Sequence, residues 1–241
     1  MMNILLTNDD GINALGIKKV EQILKNYGNV FVVAPKVEQS GKACSINAFK
    51  SIRINKIDSN HIAVEGSPVD CVEVALAMLD VDFDLIVSGC NNGYNLAHDV
   101  MYSGTCGACV QALFAKKKAI ALSIRHNSDF DVLDVFLNDT LKYIFDNDLL
   151  STNYFLNVNF PDDINYKGFK ISKVYANVHE SYYPMPLSEK DCYVIYRKEH
   201  SEFNYSDRDV NVVSDGYISI SPMSNNIFKE DDYNNLIKKI K

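Results

Sequence analysis

Two adjacent carboxylates, Asp9 and Asp10, follow the short apolar run Ile4-Leu5-Leu6-Thr7 and are followed by Gly11. Such a run reads as a strand buried on both faces, and glycine permits a sharp exit from it. In open α/β sheets, ligands collect at the carboxyl ends of strands. Two carboxylates this close repel each other in a crevice and need a cation or a shared proton. Hard divalent cations take oxygen ligands, and Mg²⁺ in particular is held by one or two carboxylates plus water and phosphate oxygens. For an isolated Asp-Asp the commoner arrangement is one helix cap and one solvated side chain, so the other loops must decide.

Three further loops fall on the same predicted edge. Gln39-Ser40-Gly41 follows the second strand, and its hydroxyl can give an oxygen to a hard metal, although a plain surface loop has the same composition. Gly89-Cys90-Asn91-Asn92-Gly93-Tyr94-Asn95 combines glycines that allow close backbone approach with amides that offer oxygens to a metal and N–H groups to phosphate. Tyr102-Ser103-Gly104-Thr105 stands just before a helix. Helix amino termini bind phosphate through free N–H groups and the positive dipole end, and N-capping by Ser103 is compatible with that.

Competing motifs are missing. Gly11 and Gly16 have a Walker-like gap, but Ile17 intervenes before Lys18 and no G-K-[ST] follows. No G-x-G-x-x-G follows the first strand, no G-x-S-x-G is present, and the first strand does not end in D-x-D. The histidines lack metal spacing; His98 sits beside the Asn-rich loop, where solvent exposure is the expected state and an acid role the alternative. Cys106-x-x-Cys109 falls inside a predicted helix among small apolar residues, which reads as core packing.

The elements that position these loops alternate strand and helix. Strands are expected at Ile4–Thr7, Val30–Ala34, Ser51–Ile57, His61–Val64, Asp84–Ser88, Ala119–Ile124 and Tyr154–Asn159. Helices are expected at Ile17–Tyr27, from Pro68 to Leu79 with Ser67 as N-cap, at Thr105–Lys117 and at Val132–Phe145. Repeated strand–helix–strand crossovers give a mostly parallel sheet covered on both faces. Residues 1–161 form the α/β core on this reading. Residues 162–241 form a β-rich extension with strands at Phe169–Val174, Cys192–Arg197 and Tyr217–Ser221, a hairpin arm, and a terminal helix from Asp231 to Lys241, and are expected to complete the core and the oligomer interface. Arm and tail, the latter with Tyr233, Leu236, Ile237 and Ile240, are expected to meet another subunit.

Composition narrows the class. The chain has 241 residues, 47% hydrophobic and 23% charged, with a net charge of −7. An acidic balance argues against broad binding to nucleic acid or anionic membrane, yet a bound metal can reverse the sign of one pocket. No apolar run is long enough to span a bilayer and no leader pattern opens the chain, so a cytoplasmic protein with reduced thiols is expected.

In order along the chain, Asn8-Asp9-Asp10-Gly11-Ile12, Gly16-Ile17, Val33-Ala34-Pro35, Ser40-Gly41, Gly66-Ser67-Pro68-Val69-Asp70-Cys71, Ser88-Gly89-Cys90-Asn91-Asn92-Gly93-Tyr94-Asn95 and Tyr102-Ser103-Gly104-Thr105 resemble the SurE family of nucleotidases. The match covers roughly the first half and resumes at Asp215-Gly216-Tyr217-Ile218-Ser219-Ile220-Ser221-Pro222. The resemblance implies a Rossmann-like three-layer sandwich. It also implies a metal-dependent phosphohydrolase acting on nucleoside 5′-monophosphates, often 3′-monophosphates, and in some members short polyphosphate. Family metal ligands fall on Asp9, Asp10, Ser40 and Asn91, with one Mg²⁺ or Mn²⁺ per subunit. Phosphate contacts fall on Asn95, Ser103, Gly104 and Thr105. Asp9 or Asp10 is the expected base, with Asp9 preferred, and a homodimer or homotetramer is the expected assembly. Leu15 replaces a usual proline, Gln111-Ala112 a usual Glu-Gly, and Val178–Asp209 follows the family poorly. A nucleotide-binding regulator with little turnover is the alternative function.

Overall fold

The computed structural model describes residues 1–174, 179–200, 205–226 and 230–239. Along the chain the elements are β1 (Met2–Thr7), α1 (Leu15–Leu24), β2 (Gly28–Pro35), β3 (Ile54–Lys56), β4 (His61–Val64), α2 (Pro68–Met78), β5 (Leu85–Asn92), α3 (Gly104–Phe114), β6 (Lys118–Ile124), α4 (Leu133–Asp146) and β7 (Phe155–Asn159). They continue with β8 (Phe169–Ile171), β9 (His179–Pro186), β10 (Tyr193–His200), α5 (Asp209–Ser214), β11 (Ile218–Met223) and α6 (Glu230–Lys239). The main sheet has the order β3-β4-β2-β1-β5-β6-β7-β11-β8. From β4 through β7 every neighbouring pair is parallel. This is the three-layer α/β sandwich expected from the strand–helix alternation.

Period-2 alternation along β1 assigns the two faces. Ile4 and Leu6 pack with Ile17, Val20 and Leu24 of α1 and with Phe136, Leu137 and Leu141 of α4. Leu5 points the other way, into a cluster with Cys71, Val72 and Ala75 of α2 and Cys106, Cys109 and Ala112 of α3. Both cysteines of the C-x-x-C are thus core residues, 3% and 0% exposed. α2 starts as its sequence requires: Pro68 takes the first helical position, and Ser67 and Asp70 form a reciprocal capping box.

The structure adds detail to the sequence reading in three places. β5 runs to Asn92 rather than stopping at Ser88, with a register shift between Ser88 and Asn91 before pairing resumes at Asn91 with Ser123. Gly89 absorbs the irregularity at φ +124°, where an added Cβ would overlap the Leu122 carbonyl. The segment after Pro161 splits: β11 pairs antiparallel with β7 and parallel with β8, extending the main sheet, whereas β9 and β10 form a separate hairpin. A short helix, α5, also appears where the sequence reading places no element. Within the divergent stretch from Val178 to Asp209, residues 178 and 201–204 lie outside the described residues, as does Ile240 of the tail.

Candidate metal and phosphate site

β1 ends in an Asx-type turn. Asn8 Nδ2 donates to the Gly11 carbonyl at 3.0 Å, and Gly11 N–H returns a 3.2 Å bond to Asn8 Oδ1. Gly11 adopts φ +102°, a conformation that favours glycine. This turn leaves Asp9 only 3% exposed and Asp10 partly covered at the carboxyl edge of the sheet.

Asp9 is held by α3. The Thr105 hydroxyl donates to Asp9 Oδ1 at 2.6 Å. Ser103 caps the helix by accepting from Cys106 N–H at 3.0 Å. Gly104 lets α3 approach closely, because a Cβ would lie a tight 3.0 Å from both Asp9 Cβ and Pro68 Cγ. Burial pushes the Asp9 carboxyl up to about 6; the Thr105 hydrogen bond opposes this, and the Asp10 charge adds to it. Asp10 is also raised by burial, against a hydrogen bond from Asn92 N–H at 3.1 Å and with further repulsion from Glu38. Among the described residues no lysine or arginine forms an ion pair with either carboxylate. Only the His126 charge opposes the rise at Asp10 from another side chain, and two desolvated carboxylates with no lysine or arginine partner are a donor set that suits a hard divalent ion.

The other expected ligands approach from two sides. Asn91 Nδ2 is committed to the Gly93 carbonyl at 2.8 Å, which leaves Oδ1 as its available donor atom. Gln39 N–H donates to the Asp9 carbonyl at 2.7 Å and draws the Ser40 loop over the β1 turn. Ser40 itself is exposed on the rim, with its hydroxyl on Glu38 Oε1 at 2.7 Å. Among the described residues no three His, Cys, Asp or Glu side chains cluster as a metal site, so a divalent ion here would need neutral oxygens as well.

Asn95 occupies a buried polar net. Its N–H donates to Asn159 Oδ1 at 2.9 Å, its carbonyl accepts from Asn157 Nδ2 at 2.8 Å and Asn159 Nδ2 at 3.1 Å, and its own Nδ2 donates to Ser123 Oγ at 2.8 Å. The sequence does not single out Asn157, Asn159 or Glu38, whereas Asn92 belongs to the amide-rich loop already noted. The available signal was Asn-Val-Asn in a buried strand, which puts two amides on one face. His98 corrects the expectation of exposure: its side chain is 12% exposed and its ring meets Tyr102 edge-on, centroids 6.3 Å apart.

Two hollows flank or oppose this edge. One of about 580 Å³ lies beside it, lined by residues of the Ser40 loop and by Glu65, Gly66 and Ser67. Another of about 410 Å³ lies at the amino ends of the strands, lined by Met2, Lys117 and Asp148 among others, away from Asp9.

Residues 4–181 match the profile of the family described as Survival protein SurE. The chain belongs to the SurE family. The "5'/3'-nucleotidase SurE" of Wigglesworthia glossinidia brevipalpis is 34% identical over 241 residues, 98% of this chain and 96% of the relative. The "5'-nucleotidase SurE" of Clostridium botulinum (strain Alaska E43 / Type E3) is 30% identical, over 92% of this chain and 93% of the relative. The crystal structure of the SurE protein from Aquifex aeolicus superposes with a TM-score of 0.86 at 28% identity, covering 99% of this chain and all of that one. The SurE likeness thus extends through the C-terminal segment, including the part that the sequence motifs leave blank.

Proposed function

We propose that this SurE-family chain is a metal-dependent phosphomonoesterase that releases phosphate from nucleoside 5′-monophosphates, with 3′-monophosphates and short polyphosphate as further candidates. The observation that carries this reading is the buried Asp9 beside Asp10, raised by desolvation, paired with no lysine or arginine among the described residues, and abutting the amino terminus of α3. The nucleotidase names of the relatives support the substrate class.

Asp9, Asp10, Asn91 and Ser40 would hold one Mg²⁺ or Mn²⁺ per subunit. When bound, the cation supplies charge neutralisation and a more acidic water. The chain does the rest. Asp9 is the base that takes the proton of the attacking water. The Ser103 hydroxyl and the Gly104 N–H, which has no acceptor among the described residues, donate to oxygens of the transferring phosphoryl group. Thr105 acts mainly by orienting Asp9, since its hydroxyl is committed there. One N–H of the Asn95 amide is committed to Ser123, which leaves its second N–H to donate to phosphate.

The active form is a homodimer or homotetramer in the cytoplasm on this reading. The hairpin supports association: Tyr193 and Ile195 are exposed on one face, Val194 and Tyr196 on the other, at 42–57%. A two-stranded ribbon that is apolar on both faces needs a partner surface. Among the described residues no helix is long and apolar enough to cross a membrane. The test is phosphate release from a panel of phosphomonoesters and polyphosphate with and without EDTA. Chelator-sensitive release from nucleotides is expected, and full activity in chelator would overturn the assignment.

A further inference from the structure

The proposed reaction locates the phosphoryl group and leaves the organic half of the substrate to be placed. Between β2 and β3 the chain runs from 36 to 53 without regular helix or strand. Loops that long inside a compact domain are usually functional. This loop carries Ser40 and encloses, with the turn before α2, a cavity of about 580 Å³. Small-molecule sites run from about 300 to 1,000 Å³. Val37 and Ile46 line it and are 62% and 52% exposed, two aliphatic side chains facing open space. Lys42 also lines it and forms no ion pair among the described residues, whereas Lys36 is tied to Glu65 at 2.9 Å. Two residues that line the cavity tie it to the carboxylate edge. Gln39, which lines it, donates its N–H to the Asp9 carbonyl, and Ser67, which also lines it, leads into Pro68 against Gly104 and Asp9.

We propose that this cavity receives the nucleobase of the substrate, an assignment that rests on the nucleotidase reading of the adjoining site. A flat base gains dispersion contacts from the faces of Val37 and Ile46. The Lys42 ammonium, which has no acceptor among the described residues, supplies a hydrogen bond to a ring nitrogen or carbonyl at the base edge. The ribose then spans the Ser40 loop, and the phosphate lies at α3.

The experiment compares the V37A/I46A double variant with wild type on adenosine, guanosine and cytidine 5′-monophosphates and on ribose 5-phosphate, which lacks a base. Both positions are exposed, so the fold tolerates the change. KM for the nucleotides is expected to rise about tenfold, the scale of losing small apolar contacts in a binding pocket, with kcat/KM for ribose 5-phosphate unchanged. Equal losses on both substrate types would make the loop a mere support for Ser40 and overturn the assignment. No loss on nucleotides, or a wild type indifferent to the base, would do the same. A wild type inactive on every phosphomonoester would overturn the nucleotidase reading itself.

Discussion

Thr105 Oγ1 donates a 2.6 Å hydrogen bond to Asp9 Oδ1, joining the first turn of α3 to the end of β1. The hydroxyl that the sequence offers to phosphate is engaged here with Asp9. Thr105→Val should lower metal affinity and turnover about 10- to 100-fold, the usual cost of removing a group that orients a metal ligand. Thr105→Ser should retain most of both. Calorimetric Mn²⁺ titration checks the first quantity, and unchanged affinity in the valine variant would refute the role.

Ser103→Ala should leave metal affinity nearly intact and weaken the transition state instead, by on the order of 3 kcal/mol for loss of a donor aimed at developing charge. The diagnostic is kcat/KM measured at saturating metal. A wild-type value would move phosphoryl binding away from α3.

Asp9→Asn should abolish most turnover while stabilising the metal-free protein at neutral pH. The folded carboxyl is pushed from its ordinary value of 3.8 to about 6, so the folded state binds the proton more tightly than the unfolded chain. Ionised Asp9 therefore costs stability above pH 6, by up to about 3 kcal/mol at 1.36 kcal/mol per pH unit, and the cost fades as pH falls toward 4. In chelator, the Tm advantage of the variant should be present at pH 7.5 and shrink at pH 4.5. An advantage independent of pH would contradict the cause given.

Asn157 and Asn159 clamp the Asn95 main chain from both sides. Asn159→Leu leaves buried groups of Asn95 unpaired, at about 1–3 kcal/mol of stability, and should raise the inhibition constant of inorganic phosphate severalfold. Ser219→Ala is the control. Ser219 is equally buried and bonded to Ser172 at 2.6 Å rather than to Asn95, so its loss should leave phosphate inhibition alone. The same phosphate constant in both variants would mean that the clamp is only structural.

His61 offers a second pH test, far from the carboxylates. Burial lowers its pKa, but hydrogen bonds to Asp58 at 2.8 Å and Glu21 at 3.1 Å outweigh this and raise it. A raised histidine contributes stability that is full below its unfolded value and is lost as pH rises through the folded one. Wild type should therefore exceed His61→Gln in Tm at pH 5.5 by more than at pH 8.5. The reverse order in urea or thermal melts would show the partners to be ineffective.

The sequence by itself determined whatever is local. Asp9 and Asp10 are placed at a strand end by the apolar run before them and the glycine after, and the α2 capping box is written in Ser67, Pro68 and Asp70. The alternation of apolar strands with amphipathic helices determined the layers, because each element must bury its own apolar face. Tertiary structure alone decided how distant groups meet. Thr105 lies 96 positions from Asp9, and Asn159 lies 64 from Asn95, and no local propensity couples either pair. The continuation of β5 to Asn92 likewise depended on Ser123 of β6 being there to pair with Asn91. The hydroxyl of Thr105 turned toward Asp9 because a buried carboxylate without a cation takes the nearest donor, and only packing of α3 against β1 makes that donor Thr105.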